Sequence, residues 1–261
     1  MNSKYEISTK ENREFLKASC EELLNFGHRF PSPNGGSYYL GDDGTPWKDR
    51  NRETWITCRM AHVYSLGLML GHEGSGELAD AALKGLKGEL HDEKNGGWYA
   101  GVTPEGDIVP NKQCYAHAFV ILAASSALTA GRPGAKELLE EALAVYDRHF
   151  WNEEEGLACD TWNTEFTVLD DYRGLNANMH TVEAFLAAGD VIGDKKYHIR
   201  AGRIIDHVIG WAEDNNWRIP EHFTKEWVAD LDCNRDRPDD PFKPYGATPG
   251  HGIEWARLIT Q

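Results

Sequence analysis

The sequence predicts an all-α protein, an (α/α)6 toroid of helical hairpins, and three observations carry that prediction. Apolar residues recur at i, i+3 and i+4 over eight stretches bounded by Gly or Pro, and no strand-forming run is long enough for a main sheet. The stretches alternate in character. Some are rich in small and aliphatic residues, as in Ala118, Ala123, Ala124, Ser125, Ser126 and Ala127, while 76–90, 133–149 and 194–213 interleave apolar residues with Lys, Glu, Asp and Arg. Every second helix also opens with a polar residue followed by a His, at His62, His117, His180 and His251, spaced by 55, 63 and 71 residues. Such a period is the length of two helices with their connections.

The helices are expected at 9–26, 54–71, 76–90, 112–130, 133–149, 175–192, 194–213 and 249–260. The first stops at Gly27 and the second at Gly71; the third ends ahead of Gly96-Gly97. The fourth ends at Gly131 and the fifth opens on Pro133, whose missing N–H costs nothing in a first turn. Gly174 and Gly193 bracket the sixth, the seventh follows Gly193, and the eighth opens at Pro249. Gly96–Gly101 and Trp151–Gly156 read as short hairpins or turns between helices. The small-residue helices should be inner and the charged ones outer, so that the polar inner-helix ends meet at one mouth. An open solenoid with a long, shallow binding face is the alternative.

A closed ring of six such hairpins needs about 380 residues at this period. The chain has 261, and it stops within the helix begun near His251 with no capping residue. The expectation is therefore a single catalytic domain over 1–261 with its carboxy-terminal part missing, about eight of twelve helices being present. One bare apolar face should then lie on the last helix, which carries Ile253, Trp255 and Leu258.

Composition narrows the function. Acidic residues outnumber basic ones by 42 to 27, for a formal charge of −15, and no Lys/Arg cluster exceeds two residues, which argues against nucleic acid. No apolar run reaches the ~20 residues of a membrane span, and Met1 to Glu6 lack a signal peptide's apolar stretch, so a cytoplasmic protein is expected. The five cysteines are scattered, without CxxC or zinc-type His pairing, and read as free thiols. Asp170-Asp171 and Asp239-Asp240 lack a third ligand and read as solvated turns, so no metal site is expected.

Within the helices, Arg59 is the notable charge: in an otherwise apolar stretch it must be paired in a buried salt bridge or face a polar pocket. His180 has Asn176 at i−4 and Glu183 at i+3, which suits a satisfied core histidine as well as a binding group. His251 opens a helix after Pro249-Gly250, with Glu254 on the same face, and reads either as an acid/base pair or as a helix cap. Trp55, Tyr115 and Trp255 are core filler or flat apolar walls of a pocket. His62 and His117 lie a turn deeper and read as structural.

Several segments in order resemble the N-acylglucosamine 2-epimerase superfamily, and within it the aldose–ketose isomerase branch of mannose isomerase and sulfoquinovose isomerase. They are Trp55–Tyr64, Lys112–Phe119, Tyr172–Ala184, Glu221-His222-Phe223 and Thr248–Leu258. The resemblance implies an (α/α)6 barrel that isomerises a hexose, of the mannose-to-fructose type, without metal or organic cofactor. It implies that His251 is a catalytic acid/base, that Trp55, Arg59, Tyr115, Asn176, His180 and Glu254 bind the sugar, and that a second catalytic His lies beyond Gln261. The sulfosugar enzymes tend to carry an Arg where this chain has Pro241, ahead of Phe242, which favours an uncharged hexose; Arg235, Arg237 or Lys243 are the other sources of charge. The alternatives are a sulfoquinovose isomerase, a 2-epimerase acting on N-acylglucosamine or cellobiose, or an inactive carbohydrate-binding or regulatory fragment. A hydrolase or lyase would need two opposed carboxylates, for which Glu254 and Glu221 are the candidates.

Overall fold

The computed structural model describes residue 6 and residues 8–261, so the expectation drawn from Met1 to Tyr5 lies outside the described residues. Eight helices follow in chain order among them. They are α1 (Lys10–Gly27), α2 (Thr54–Met69), α3 (Ser75–Leu86), α4 (Cys114–Thr129), α5 (Ala135–His149), α6 (Leu175–Ile192), α7 (Lys195–Asp214) and α8 (Pro249–Thr260). None is long and apolar enough to cross a membrane.

All eight expected helices are present, and the differences lie at their ends. The third stops at Leu86 instead of running to 90, because the N–H groups of Gly88 and Leu90 both turn to the Gly85 carbonyl, three and five residues back, in place of helical bonds. The fourth starts at Cys114 and not at 112, because Asn111–Gln113 is a strand paired with Thr161–Asn163. The fifth starts at Ala135, after the turn that carries Pro133 and Gly134.

The helices α2, α4 and α6 pack side by side, and α3, α5 and α7 each lie behind the one that precedes them. α8 joins the inner row against α6, and α1 packs on α2. The division follows composition, as expected: α4 is buried almost throughout, so its Ala and Ser positions let two neighbours approach. The outer helices bury one face only.

Short antiparallel pairs lead into the inner helices. Arg52–Glu53 pairs with Gly101–Val102 ahead of α2, Asn111–Gln113 with Thr161–Asn163 ahead of α4, and Arg173–Gly174 with His222–Phe223 ahead of α6. Each pair supplies one carbonyl to the first N–H of the helix it feeds: Thr54 donates to Ala100, Cys114 to Asp160 and Leu175 to Glu221, at 3.0, 2.8 and 3.0 Å. Three inner helices thus begin at one structural level.

The bare apolar face differs from expectation. Trp255 and Leu258 are each 1% exposed, packed into the core, and on α8 the exposed apolar side chains are Ile253 and Ile259. Clusters of uncovered apolar side chains lie instead on α1, at Phe15, Leu16 and Leu23, and along α2 to its cap, at Val63, Leu66 and Leu70. The spacing of α8 faces Trp255 and Leu258 inward, where α6 covers them.

Two buried polar arrangements brace the mouth. Lys112 Nζ donates to Asp92 Oδ2 and to the Gly96 carbonyl, both at 2.9 Å, and both charged side chains are fully buried. Burial pushes the Asp92 carboxyl up, but Lys112 and Asn95 hold it well below the ordinary range. Below them, His117 accepts the Trp98 N–H at Nε2 (3.1 Å) and donates from Nδ1 to the Gln113 carbonyl (2.7 Å), which fixes a neutral ring. Gly97 is required there: its φ is +71°, and a Cβ would sit 2.7 Å from His117 Nε2.

Two stability predictions follow from these groups. Lys112→Ala leaves Asp92 buried without its counter-charge, and chemical denaturation should show a loss of about 3–5 kcal/mol. Burial pulls His117 from 6.5 down to about 3. The unfolded chain then binds the extra proton below pH 6.5, so stability should fall with pH by up to about 1.4 kcal/mol per unit toward pH 3. Denaturation midpoints measured across that range should lose this component of their slope in His117→Gln.

Candidate active site

The aligned amino ends of α2, α4 and α6 surround a cavity of about 570 Å³. Trp55, Tyr115 and Asn176, each in the first turn of its helix, line it together with Glu53, Asn111, Asp160, Asp170 and Tyr172. Across it runs the connection between α7 and α8, which contributes Arg237, Asp240, Phe242 and Lys243.

Trp55 anchors an aromatic wall. Its indole N–H donates to Glu53 Oε2 at 2.7 Å, and its ring meets the edges of Tyr39, Tyr115 and Phe242 at centroid distances of 6.3, 6.0 and 6.2 Å. Burial raises the Glu53 carboxyl, partly offset by that hydrogen bond. One turn deeper on α2, the Arg59 guanidinium lies 5.1 Å from the Trp55 ring and 4.7 Å from that of Phe119. It also donates to the Tyr115 hydroxyl at 3.2 Å. No carboxylate is within ion-pair distance of Arg59 among the described residues, so the buried salt bridge open to it from sequence is not formed. Burial raises the Tyr115 hydroxyl, opposed by Arg59.

The Tyr115 ring stands edge-on to His180 at 5.1 Å. His180 Nδ1 bonds Glu183 Oε2 at 3.1 Å, and Glu183 Oε1 accepts from Arg257 of α8 at 2.9 Å. Burial raises Glu183, yet His180 and Arg257 outweigh it and hold the carboxyl at about 2. Single donor atoms of His180, Glu183 and Glu254 fall within 4.8 Å of one another. Glu183 is already paired on both oxygens, so the set is charge-compensated by its own Arg and His partners.

His251, the third residue of α8, donates from Nδ1 to Glu221 Oε2 at 2.9 Å, and the other oxygen of Glu221 accepts the Thr248 N–H at 3.2 Å. That bond, with the neighbouring carboxylates, raises the His251 ring above 6.5 against the opposite pull of burial. Nε2 makes no hydrogen bond among the described residues and is left to exchange protons. Glu221 is thereby committed to His251, and it is not one of a pair of opposed hydrolytic carboxylates.

Of the seven expected residues, Trp55, Tyr115 and Asn176 line the cavity, while Arg59, His180, His251 and Glu254 lie within the first two turns of the same helices or of α8 and outside its lining. His62 and His117 lie outside the group, as expected: His62 Nδ1 bonds Ser126 Oγ at 2.6 Å and ties α2 to α4. Sequence reasoning passed over the carboxylate that holds His251, the Glu183–Arg257 pair that fixes His180, and the Asp160, Tyr172 and Lys243 side of the cavity. Glu221 stood in a quoted segment and Glu183 at i+3 from His180, so both had a local signal. Asp160 had none, because its place depends on strand pairing.

The chain is 43% identical over 250 residues to a D-mannose isomerase of Thermobifida fusca, covering 95% of this chain and 61% of that protein. A D-mannose isomerase of Pseudomonas cannabina pv. alisalensis is 40% identical over 254 residues, 97% of this chain and 61% of the relative. The chain thus spans about three fifths of the length of these curated relatives. A solved D-mannose isomerase structure superposes with a TM-score of 0.88 at 28% identity, over 97% of this chain and 66% of that one. Residues 35–261 match the profile of the N-acylglucosamine 2-epimerase (GlcNAc 2-epimerase) family, and the chain belongs to that family.

Proposed function

We propose that this chain carries the sugar-binding and acid/base site of an aldose–ketose isomerase that interconverts mannose and fructose, on an arc of an (α/α)6 barrel forming a single catalytic domain. The observation that carries the proposal is His251, held by Glu221 at the head of α8, an inner helix packed on α6, whose first turn lines the aromatic-walled cavity. The resemblance to D-mannose isomerases supports the choice of hexose. In this reading, Trp55 and Tyr115 offer apolar faces to the sugar, and Asn176, His180 and Glu254 hold its hydroxyls.

The chemistry asked of the site is proton transfer. A proton leaves C2 of the open-chain aldose, an enediol forms, and a proton returns at C1 while the O2 hydrogen passes to O1. The raised pKa of His251 gives it an imidazolium share near neutral pH, which suits donation to the ring oxygen during opening, and the neutral ring then serves as base. Arg59 and the Tyr115 hydroxyl supply donors for charge developing on oxygen; Arg59, free of any carboxylate, spends its charge there. Each of these moves uses side chains present in the chain.

The competing readings are a sulfonated hexose as substrate, a 2-epimerase outcome, or binding without catalysis. Arg237 and Lys243 line the cavity and are the observation in favour of a sulfonate. Both are offset locally: Arg237 lies 3.9 Å from Asp240, and Lys243 sits over the Tyr172 ring on the same wall as Asp160.

Two experiments test the reading. In a version of the chain extended with the final third of a relative, His251→Ala should lower conversion of mannose to fructose by about 10²–10⁴-fold while mannose still binds; unchanged turnover would make His251 a helix cap. Glu221→Gln should lower the pKa of His251, because the carboxylate that favours the imidazolium is gone. An NMR titration of the His251 ring reads this directly, with or without turnover.

A further inference from the structure

The three carbonyls that receive the first N–H of α2, α4 and α6 belong to Ala100, Asp160 and Glu221, which therefore occupy equivalent places in successive repeats. In the last of them the Glu221 carboxylate continues to the amino end of the next inner helix, where it bonds the N–H of Thr248, the capping residue of α8, and the ring of His251. Asp160 stands in the same relation to α6. Its Oδ2 lies 3.1 Å from the point that a Cβ on Gly174, the residue capping α6, would occupy, and the Tyr172 hydroxyl lies 2.8 Å from that point.

The correspondence ends at the third helical residue. Where α8 has His251, α6 has Ala177, so the Asp160 carboxylate finds no imidazole. Oδ1 accepts the Thr161 hydroxyl at 3.2 Å, and Oδ2 makes no hydrogen bond among the described residues. Asp160, Gly174 and Ala177 all line the cavity, and so does Lys243, whose ammonium lies 3.6 Å above the Tyr172 ring. Burial pushes the Asp160 carboxyl up to about 6, against the pull of Lys243, so it remains largely ionised at neutral pH.

We propose that Asp160 is a specificity-determining residue of this site, accepting hydroxyl hydrogens of an uncharged sugar at the α4–α6 side of the cavity, with Lys243 as the matching donor. The proposal rests on the hexose reading above and deepens it. A free carboxylate acceptor favours a polyol and disfavours an anionic substituent, and Asp170 and Asp240 on the same cavity act in the same sense. The small residue at 177 is what leaves the carboxylate available.

The test measures binding of D-mannose, D-mannitol and sulfoquinovose to this chain by calorimetry, in the wild type and in Asp160→Ala, Asp160→Asn and Lys243→Met. Asp160→Ala should weaken mannose and mannitol by about 10- to 100-fold, the range of a hydrogen bond to a charged group. Asp160→Asn keeps the shape and an acceptor; it should weaken them less and narrow the wild-type preference for mannose over sulfoquinovose. Lys243→Met should weaken mannose severalfold. Mannose and mannitol affinities within twofold of wild type in both folded Asp160 variants would overturn the proposal, as would a wild type that binds neither. Asp160-dependent binding with no isomerisation even by a version extended with a relative's final third keeps this inference and sinks the isomerase reading; isomerisation by that version with an unchanged KM in Asp160→Ala does the reverse.

Discussion

One hydrogen bond, made three times, organises this molecule: the first N–H of an inner helix donates to the carbonyl of the residue just ahead of a short strand in the connection beyond the next outer helix. A helix start has four N–H groups without intrahelical partners, and here strand pairing supplies the first acceptor instead of a side-chain cap. Thr54, Cys114 and Leu175 are therefore level with one another, and first-turn side chains at Trp55, Tyr115 and Asn176 come to one cavity. The alternation of small-residue and charged helices explains how the layers pack. It does not explain why their polar ends align; the strand pairs do.

The same device decides what each repeat contributes. The residue whose carbonyl is used presents its side chain toward the next helix start, so one backbone position becomes a variable chemical position. Ala100 is inert there, Asp160 is a carboxylate facing a cavity, and Glu221 is a carboxylate spent on orienting an imidazole. Glu carries one methylene more than Asp, which lets Glu221 span both the Thr248 N–H and His251. A rigid scaffold with one interchangeable side chain per repeat sets a different group at each helix start, and the connection between α7 and α8 adds its own side chains across the cavity.

Most of the architecture was legible because helical hairpins repeat the same apolar period. The eight helices and their inner and outer sorting were readable from spacing, and the family-like motifs marked residues that the structure gathers at the amino ends of the inner helices. The helix ends that differed lie where strand or turn bonds took over, as at Asn111–Gln113 and after Leu86. The strand bonds connect segments far apart in sequence and the turn bonds after Leu86 are local, but neither leaves a periodic mark. The uncovered apolar face was misplaced for a related reason: composition shows that Trp255 and Leu258 are apolar, but their rotation toward α6 is set by packing.

Charge compensation in the site follows one rule that separates structural from chemical groups. Where a charged side chain is fully paired, as in Lys112–Asp92 and in Arg257–Glu183–His180, low dielectric strengthens the pair and freezes the geometry around it. Where one is left over, the environment differs: Asp160 Oδ2 beside Gly174 is half-buried and only partly compensated, so an incoming donor completes it, while Arg59 keeps an exposed side to water and two aromatic rings on the other. The leftover groups are of opposite sign and belong to different helix starts, α2 and α6, so a ligand that satisfies both must present donors and acceptors along its length. A neutral sugar chain with a carbonyl at one end and hydroxyls along the rest has that pattern. A molecule with a single concentrated charge can satisfy only one of the two.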